Sequence, residues 1–248
     1  MSDAPPPTDI DSAEFIAEPP YIRLEKFGNR VRNLAPTTEL VLALGLCFGI
    51  PVIVSTILLF RQAQVVRLTD RVLIRQMILE LVCIGTAALL LWCRGWSFHR
   101  IGLRFSWRGI IAGFPLALVD LILNIGSIVA IVYFYPSAEM HIQYVPQAST
   151  GLFLTFLFLN SFYEEMAVSG YVITALSSRG ALISIGASAF IRLSYHLYYG
   201  PIAAITLLPM GILFAFVYWK WRNLWPLVSA HTLINIFLFF VIPSSQNA

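Results

Sequence analysis

Long apolar runs alternate with short polar connections from residue 40 to near the end of the chain. The runs cover 40–60, 72–93, 109–135, 151–176, 181–199, 201–219 and 224–242. Each is close to or above the roughly 20 residues a helix needs to cross the hydrocarbon core. Strands with such unbroken hydrophobicity would not form a barrel, and backbone groups in lipid must be paired within the segment, so helices are predicted. The fold class predicted is therefore all-α, a polytopic transmembrane helical bundle of about seven spans, or about eight helices if an interfacial one forms. Gly200-Pro201 marks either a tight turn or a kink within a longer element.

The first 38 residues break this pattern. Residues 1–20 hold many prolines, carry Asp3, Asp9, Asp11, Glu14 and Glu18, and contain no Lys or Arg, which predicts a disordered tail. They lack the basic start, apolar run and cleavage site of a signal peptide, so the tail is expected to be retained. Residues 21–34 mix Ile22, Leu24, Phe27, Val31 and Leu34 with Arg23, Lys26, Arg30 and Arg32, which fits an amphipathic helix on the cytoplasmic membrane surface or a solvated linker. The expected division is a tail at 1–38, N-terminal transmembrane helices at 39–108, a helical core at 109–242 and a short tail at 243–248.

Composition agrees with a membrane protein. Of 248 residues, 58% are hydrophobic and 12% charged, with a mean hydropathy of +0.77, too apolar for an ordinary soluble domain. The net charge of +3 comes from short loops and gives no argument for nucleic acid. Cys47, Cys83 and Cys93 show neither CxxC nor His-paired spacing, so they are expected to pack rather than to form disulfides or bind metal. Arg94, Arg100, Arg104 and Arg108, then Arg179, then Lys220 and Arg222 place three connections in the cytoplasm, and the connection around Glu139, without Lys or Arg, falls outside. The connection with Arg61, Arg67 and Arg71 does not fit, unless the first spans are irregular or part of it is an interfacial helix.

The polar residues inside the spans carry the chemistry. Glu164 and Glu165 stand side by side in the 151–176 run, where a carboxylate costs several kcal/mol and normally faces a protein interior or a water cavity. Arg192 and His196, and then His231 and Asn235, are each four residues apart and project from one helix face. Taken singly, each has an ordinary structural role, such as an ion pair or a helix–helix hydrogen bond. Together they can line one cavity if the fourth, fifth and seventh spans pack. A buried carboxylate can take a proton from water and an imidazole can relay it, while an amide and a second imidazole can donate to an oxyanion. This implies hydrolysis of a carbonyl substrate, most naturally a peptide bond, within or near the bilayer.

The runs EEMAVSGYVITAL (164–176), RLSYHLYYG (192–200) and HTLIN (231–235) resemble the three motifs of the CPBP family, the CAAX-protease and bacteriocin-processing (Abi) family of intramembrane glutamic endopeptidases. The usual patterns are EExxxR, FxxxH and HxxxN or HxxxD, in that order on late helices, and the resemblance covers roughly 109–242. It implies that 109–242 is the catalytic core, that Glu164 activates water with Glu165 in support, that His196 assists the water, and that His231 and Asn235 stabilise the oxyanion. It also implies a membrane-bound or lipidated protein substrate, membrane lipid as surroundings, and no cofactor or metal. A multi-pass protein of the plasma or inner membrane is expected if the source is prokaryotic; the sequence leaves the substrate and oligomeric state open.

Two positions depart from the family pattern. Ser169 stands where EExxxR has arginine, and Arg192 stands where FxxxH has phenylalanine. Either Arg192 brings into the cavity the guanidinium that Ser169 lacks, or this branch keeps the pair without catalysis. Two alternatives follow: a catalytically altered membrane immunity or scaffold protein, or a proton-coupled carrier in the same non-enzymatic class, and a metal-dependent intramembrane hydrolase. The metal reading is weaker, because no HExxH helix occurs. Glu80, near Gln76, and Asp120, near Asn124, are expected to serve helix–helix hydrogen bonding, with a place in the cavity as the alternative. Tyr195, Tyr198 and Tyr199, like Trp219, Trp221 and Trp225, are expected to anchor at the membrane interface, with substrate contacts as the alternative.

Overall fold

The computed structural model describes residues 28–29, 31–61, 64–136 and 142–240. The expected tails at 1–20 and 243–248 lie outside them, as does most of the 21–34 segment, of which 28–29 and 31–32 are helical. That piece belongs to a unit ending at Leu34, and the helical body begins at Ala35.

Helix α1, Pro36–Leu59, starts where extended backbone at Ala35 meets Pro36, whose fixed φ suits a first helical position. After β1, Gln64–Leu68, come α2, Asp70–Cys93, and α3, Trp107–Phe134. The Ser106 hydroxyl caps α3 by accepting from the Gly109 N–H at 3.0 Å. Strand β2, Ile142–Pro146, leads into α4, Thr150–Glu164. Without a break α4 becomes π-helical over Glu165–Val172 and closes with an α-turn, Ile173–Ala175. Gly180, at φ +93°, starts α5, Ala181–Ser194. Gly200, at φ +100°, is a turn and not a kink, and Pro201 after it opens α6, Pro201–Ile205, followed by α7, Leu208–Trp221. Helix α8 is Trp225–Phe240.

The chain is an integral membrane protein of the all-α class, with one short strand pair between its helices. Among the described residues, four helical stretches, Pro36–Leu59, Asp70–Cys93, Trp107–Phe134 and Pro201–Trp221, are long and apolar enough to cross a membrane. Two expectations need correction. The fifth run forms only a 14-residue helix, because Tyr195 and His196 leave α5 for a 3-10 turn at Leu197–Tyr199. The Arg61–Arg71 connection forms no interfacial helix among its described residues: it supplies β1, paired in parallel with β2 from Gln64 opposite Ile142 to Leu68 opposite Pro146.

That pairing puts both connections at one end of the bundle, with α2 and α3 as the crossover between the strands. The 195–200 turn joins the same end, since the Tyr198 N–H donates to Ser55 Oγ at 2.9 Å. The 94–106 and 222–224 connections form the opposite, arginine-rich end, where the Leu224 N–H donates to the Gly102 carbonyl at 3.2 Å. Helices α3 and α8 touch through Gly113, where an added Cβ would lie 2.5 Å from Ser229 Cβ. Ser229 Oγ donates to the Ile110 carbonyl at 2.9 Å, fixing the register of α8 and so the position of His231. The core beneath holds Ile173, Phe214, Tyr218, Leu224, Leu227 and Ala230, all fully buried.

Candidate active site

Glu164 is the last residue of α4 and Glu165 the first of its π-helical continuation. Such single-turn widenings cluster at functional sites, because they re-aim side chains without ending the helix. Both glutamates point into protein, 6% and 0% exposed.

Glu165 is enclosed by donors from three elements. Its Oε1 accepts from Arg192 Nη2 at 2.7 Å and from His231 Nδ1 at 2.8 Å, and its Oε2 accepts from Ser169 Oγ at 2.6 Å. Glu164 is held through one oxygen: Oε2 accepts from the Tyr195 hydroxyl at 2.7 Å and from Arg192 Nη1 at 3.4 Å. Its Oε1 has no hydrogen bond among the described residues and is not sealed away from access. Arg192, 2% exposed, thus reaches both carboxylates, and a guanidinium is suited to bridging two such groups because its donors lie in a fixed planar fork.

The imidazoles are engaged separately. The His231 ring packs edge-on to Phe214 and commits Nδ1 to Glu165. His196 lies just past the end of α5, with Nδ1 2.8 Å from the Arg192 carbonyl. A carbonyl only accepts, so Nδ1 carries the proton and Nε2 is the basic nitrogen of the neutral ring. No hydrogen bond joins His196 to either glutamate among the described residues. Asn235, half-buried, donates from Nδ2 to Ser161 Oγ at 3.3 Å, leaving its second N–H uncommitted. Among the described residues, no three His, Cys, Asp or Glu side chains cluster as metal ligands.

Tyr195 is a site residue that sequence reasoning assigned to the membrane interface. It is 6% exposed, stacks on Phe48 with centroids 4.6 Å apart, and holds Glu164. Its position next to His196 and three residues after Arg192 was the available signal. Ser161, one turn before Glu164, was also missed. Beyond His196, Tyr199 lies parallel to the imidazole at 5.9 Å, and Tyr144 of β2 packs edge-on to Tyr198 and Tyr199. Burial, with Tyr199 beside it, pushes the Tyr144 phenol up, so it stays a neutral hydroxyl. Cys47 and Cys83 are buried as expected, whereas Cys93 is exposed at the end of α2.

Residues 146–237 match the family model described as Type II CAAX prenyl endopeptidase Rce1-like. The matched range covers less than half of the chain; it supports the resemblance to the CAAX-protease family and contains both glutamates, Arg192, His196, His231 and Asn235. Comparison with curated proteins and with solved structures gave no match.

Proposed function

We propose that the protein is an intramembrane endopeptidase of the glutamic type, cleaving a peptide bond in a membrane-bound or lipidated substrate. The observation that carries this reading is the division of labour within the glutamate pair: Glu165 is saturated with donors, while Glu164 is oriented through Oε2 and keeps Oε1 open. Glu164 Oε1 takes a proton from water as the water oxygen attacks the carbonyl carbon, and His196 Nε2 steadies that water. The tetrahedral oxyanion receives the spare N–H of Asn235 and a donor from His231 Nε2, which requires the doubly protonated ring, since Nδ1 is already committed. As the C–N bond breaks, Glu164 returns its proton to the leaving amine, giving a carboxylic acid and an amine. No metal enters these steps, so cleavage is expected to be insensitive to chelators.

In this reading Arg192 supplies the positive charge that the family pattern places at 169, and Ser169 contributes a hydrogen bond instead. If the source is prokaryotic, the multi-pass chain resides in the plasma (inner) membrane, its arginine-rich end in the cytoplasm. The test is cleavage of a lipidated peptide by purified protein in nanodiscs, comparing wild type with Glu164→Gln and His196→Ala. Wild type is expected to cleave, and Glu164→Gln to lose about 10²–10⁴-fold. Equal cleavage by all three would overturn the mechanism. The replacement of the family arginine by Ser169 favours a second reading, a membrane immunity or scaffold protein that keeps the fold for binding. A cellular phenotype that survives Glu164→Gln would select it.

A further inference from the structure

Two adjoining cavities reach the arginine-rich end; Met166 and Ala167, which follow Glu165 in the chain, line the first, but neither glutamate does. The first, about 520 Å³, is bordered by α1 and α2 and is largely apolar, with Ala43, Gly85, Ala88 and Trp92 among its walls. The second, about 430 Å³, is bordered by Glu39, Arg94, Arg100 and Arg179. Trp96 lines both, so an apolar compartment and a cationic one meet at one indole. None of Glu164, Glu165, His196, His231 and Asn235 lines either cavity.

The charge of the second compartment is readily worked out. The Glu39 carboxylate, 6% exposed, accepts from Arg94 Nε at 2.6 Å, from Trp96 Nε1 at 2.8 Å and from the Tyr171 hydroxyl at 3.3 Å. Arg94 balances Glu39 in that pair. Arg100 lies over the Trp96 ring at 4.0 Å, and neither it nor the exposed Arg179 forms an ion pair among the described residues. Among the described residues, two guanidinium groups therefore remain uncompensated beside an indole at the mouth of an apolar slot. Gly85 and Ala88 keep the slot open, and a Cβ built at Gly85 meets nothing within 4 Å.

We propose that the two cavities together form a binding site for an anionic phospholipid, its phosphate on Arg100 and Arg179 and one acyl chain in the slot between α1 and α2. Basic pockets at the ends of membrane helices select anionic headgroups by charge, while an apolar slot accepts any chain of suitable width. A resident lipid suits the site better than a substrate, because the residues assigned to cleavage border neither compartment. The choice of lipid over substrate rests on the peptidase reading; the charge and shape of the two cavities do not.

The test measures lipid retained by detergent-purified protein after exchange with phosphatidylglycerol or phosphatidylcholine of identical chains, read by native mass spectrometry. Wild type is expected to prefer phosphatidylglycerol. Arg100→Gln with Arg179→Gln lowers its retention roughly tenfold or more, to the phosphatidylcholine level. Gly85→Leu fills the slot and lowers retention of both lipids. Inorganic phosphate at the same concentration displaces neither. Equal retention of the two lipids by wild type, indifference to the arginine substitutions, or displacement by phosphate alone would overturn the proposal. So would a Gly85→Leu variant that keeps its lipid but no longer cleaves a lipidated peptide, which would make the slot part of substrate binding. Arg100 and Arg179 are exposed and Gly85 faces open space, so the variants keep the fold, with unchanged thermal unfolding as the control.

Discussion

Both halves of the bundle bury carboxyl groups, and they treat them in opposite ways. Among α4, its π-helical continuation, α5 and α8, Glu165 receives donors at both oxygens from Arg192, His231 and Ser169. In α2 and α3 the supply falls short. Among the described residues, Glu80 accepts from Gln76 and Asn160 at Oε1 but leaves Oε2 unpartnered, and fully buried Asp120 leaves both oxygens so. A carboxylate saturated by convergent donors fixes the groups around it and has little capacity left for turnover. Glu164, with one oxygen tied and one open, lies between these extremes, and this intermediate state is what a proton-transferring group needs.

The comparison can be broken most directly at Arg192. Arg192→Met strands both glutamates in the interior and is expected to cost about 3–5 kcal/mol, measured by thermal or denaturant unfolding in detergent; a loss below about 1 kcal/mol would mean the centre is not held by its charge balance. Moving the guanidinium sharpens the point. Ser169→Arg combined with Arg192→Phe restores the family pattern and is expected to be at least about 1 kcal/mol more stable than Arg192→Phe alone, whereas no recovery would show the two positions to be independent. Ser169→Ala removes one hydrogen bond to a buried charge and is expected to cost about 1.5–3 kcal/mol in the same assay. Asp120→Asn should change stability by less than about 1 kcal/mol, because no donor is lost; a cost of several kcal/mol would place Asp120 with Glu165 instead.

Much of this arrangement was legible in the chain. The helices follow from hydrophobic runs close to or above the length a bilayer requires, and the i,i+4 spacing of His231 and Asn235 puts both on one helix face. The π-helical stretch was not legible, since EMAVSGYV reads as ordinary helix and only packing reveals the widened turn. The strands were hidden by brevity: five residues with Val65, Val66 and Arg67 are too few for a period of two to stand out against the flanking spans. Tyr195 was misassigned because an aromatic near the end of an apolar run has the same sequence signature at an interface as beside a carboxylate. The separate engagement of His196 and Glu164 is a tertiary fact, set by where α5 stops.

The early end of α5 also bears on the surrounding lipid. At 1.5 Å per residue, its 14 residues span about 21 Å, against a hydrocarbon thickness of roughly 30 Å. A segment that short is accommodated by local thinning of the bilayer or by water drawn down to its polar end. The end in question carries His196 and the Tyr198–Tyr199 pair, so this hydrophobic mismatch falls beside the open oxygen of Glu164. On the peptidase reading proposed above, membrane thickness thereby becomes a variable of the chemistry: in thicker bilayers hydration of this end costs more, and in thinner ones it comes more readily.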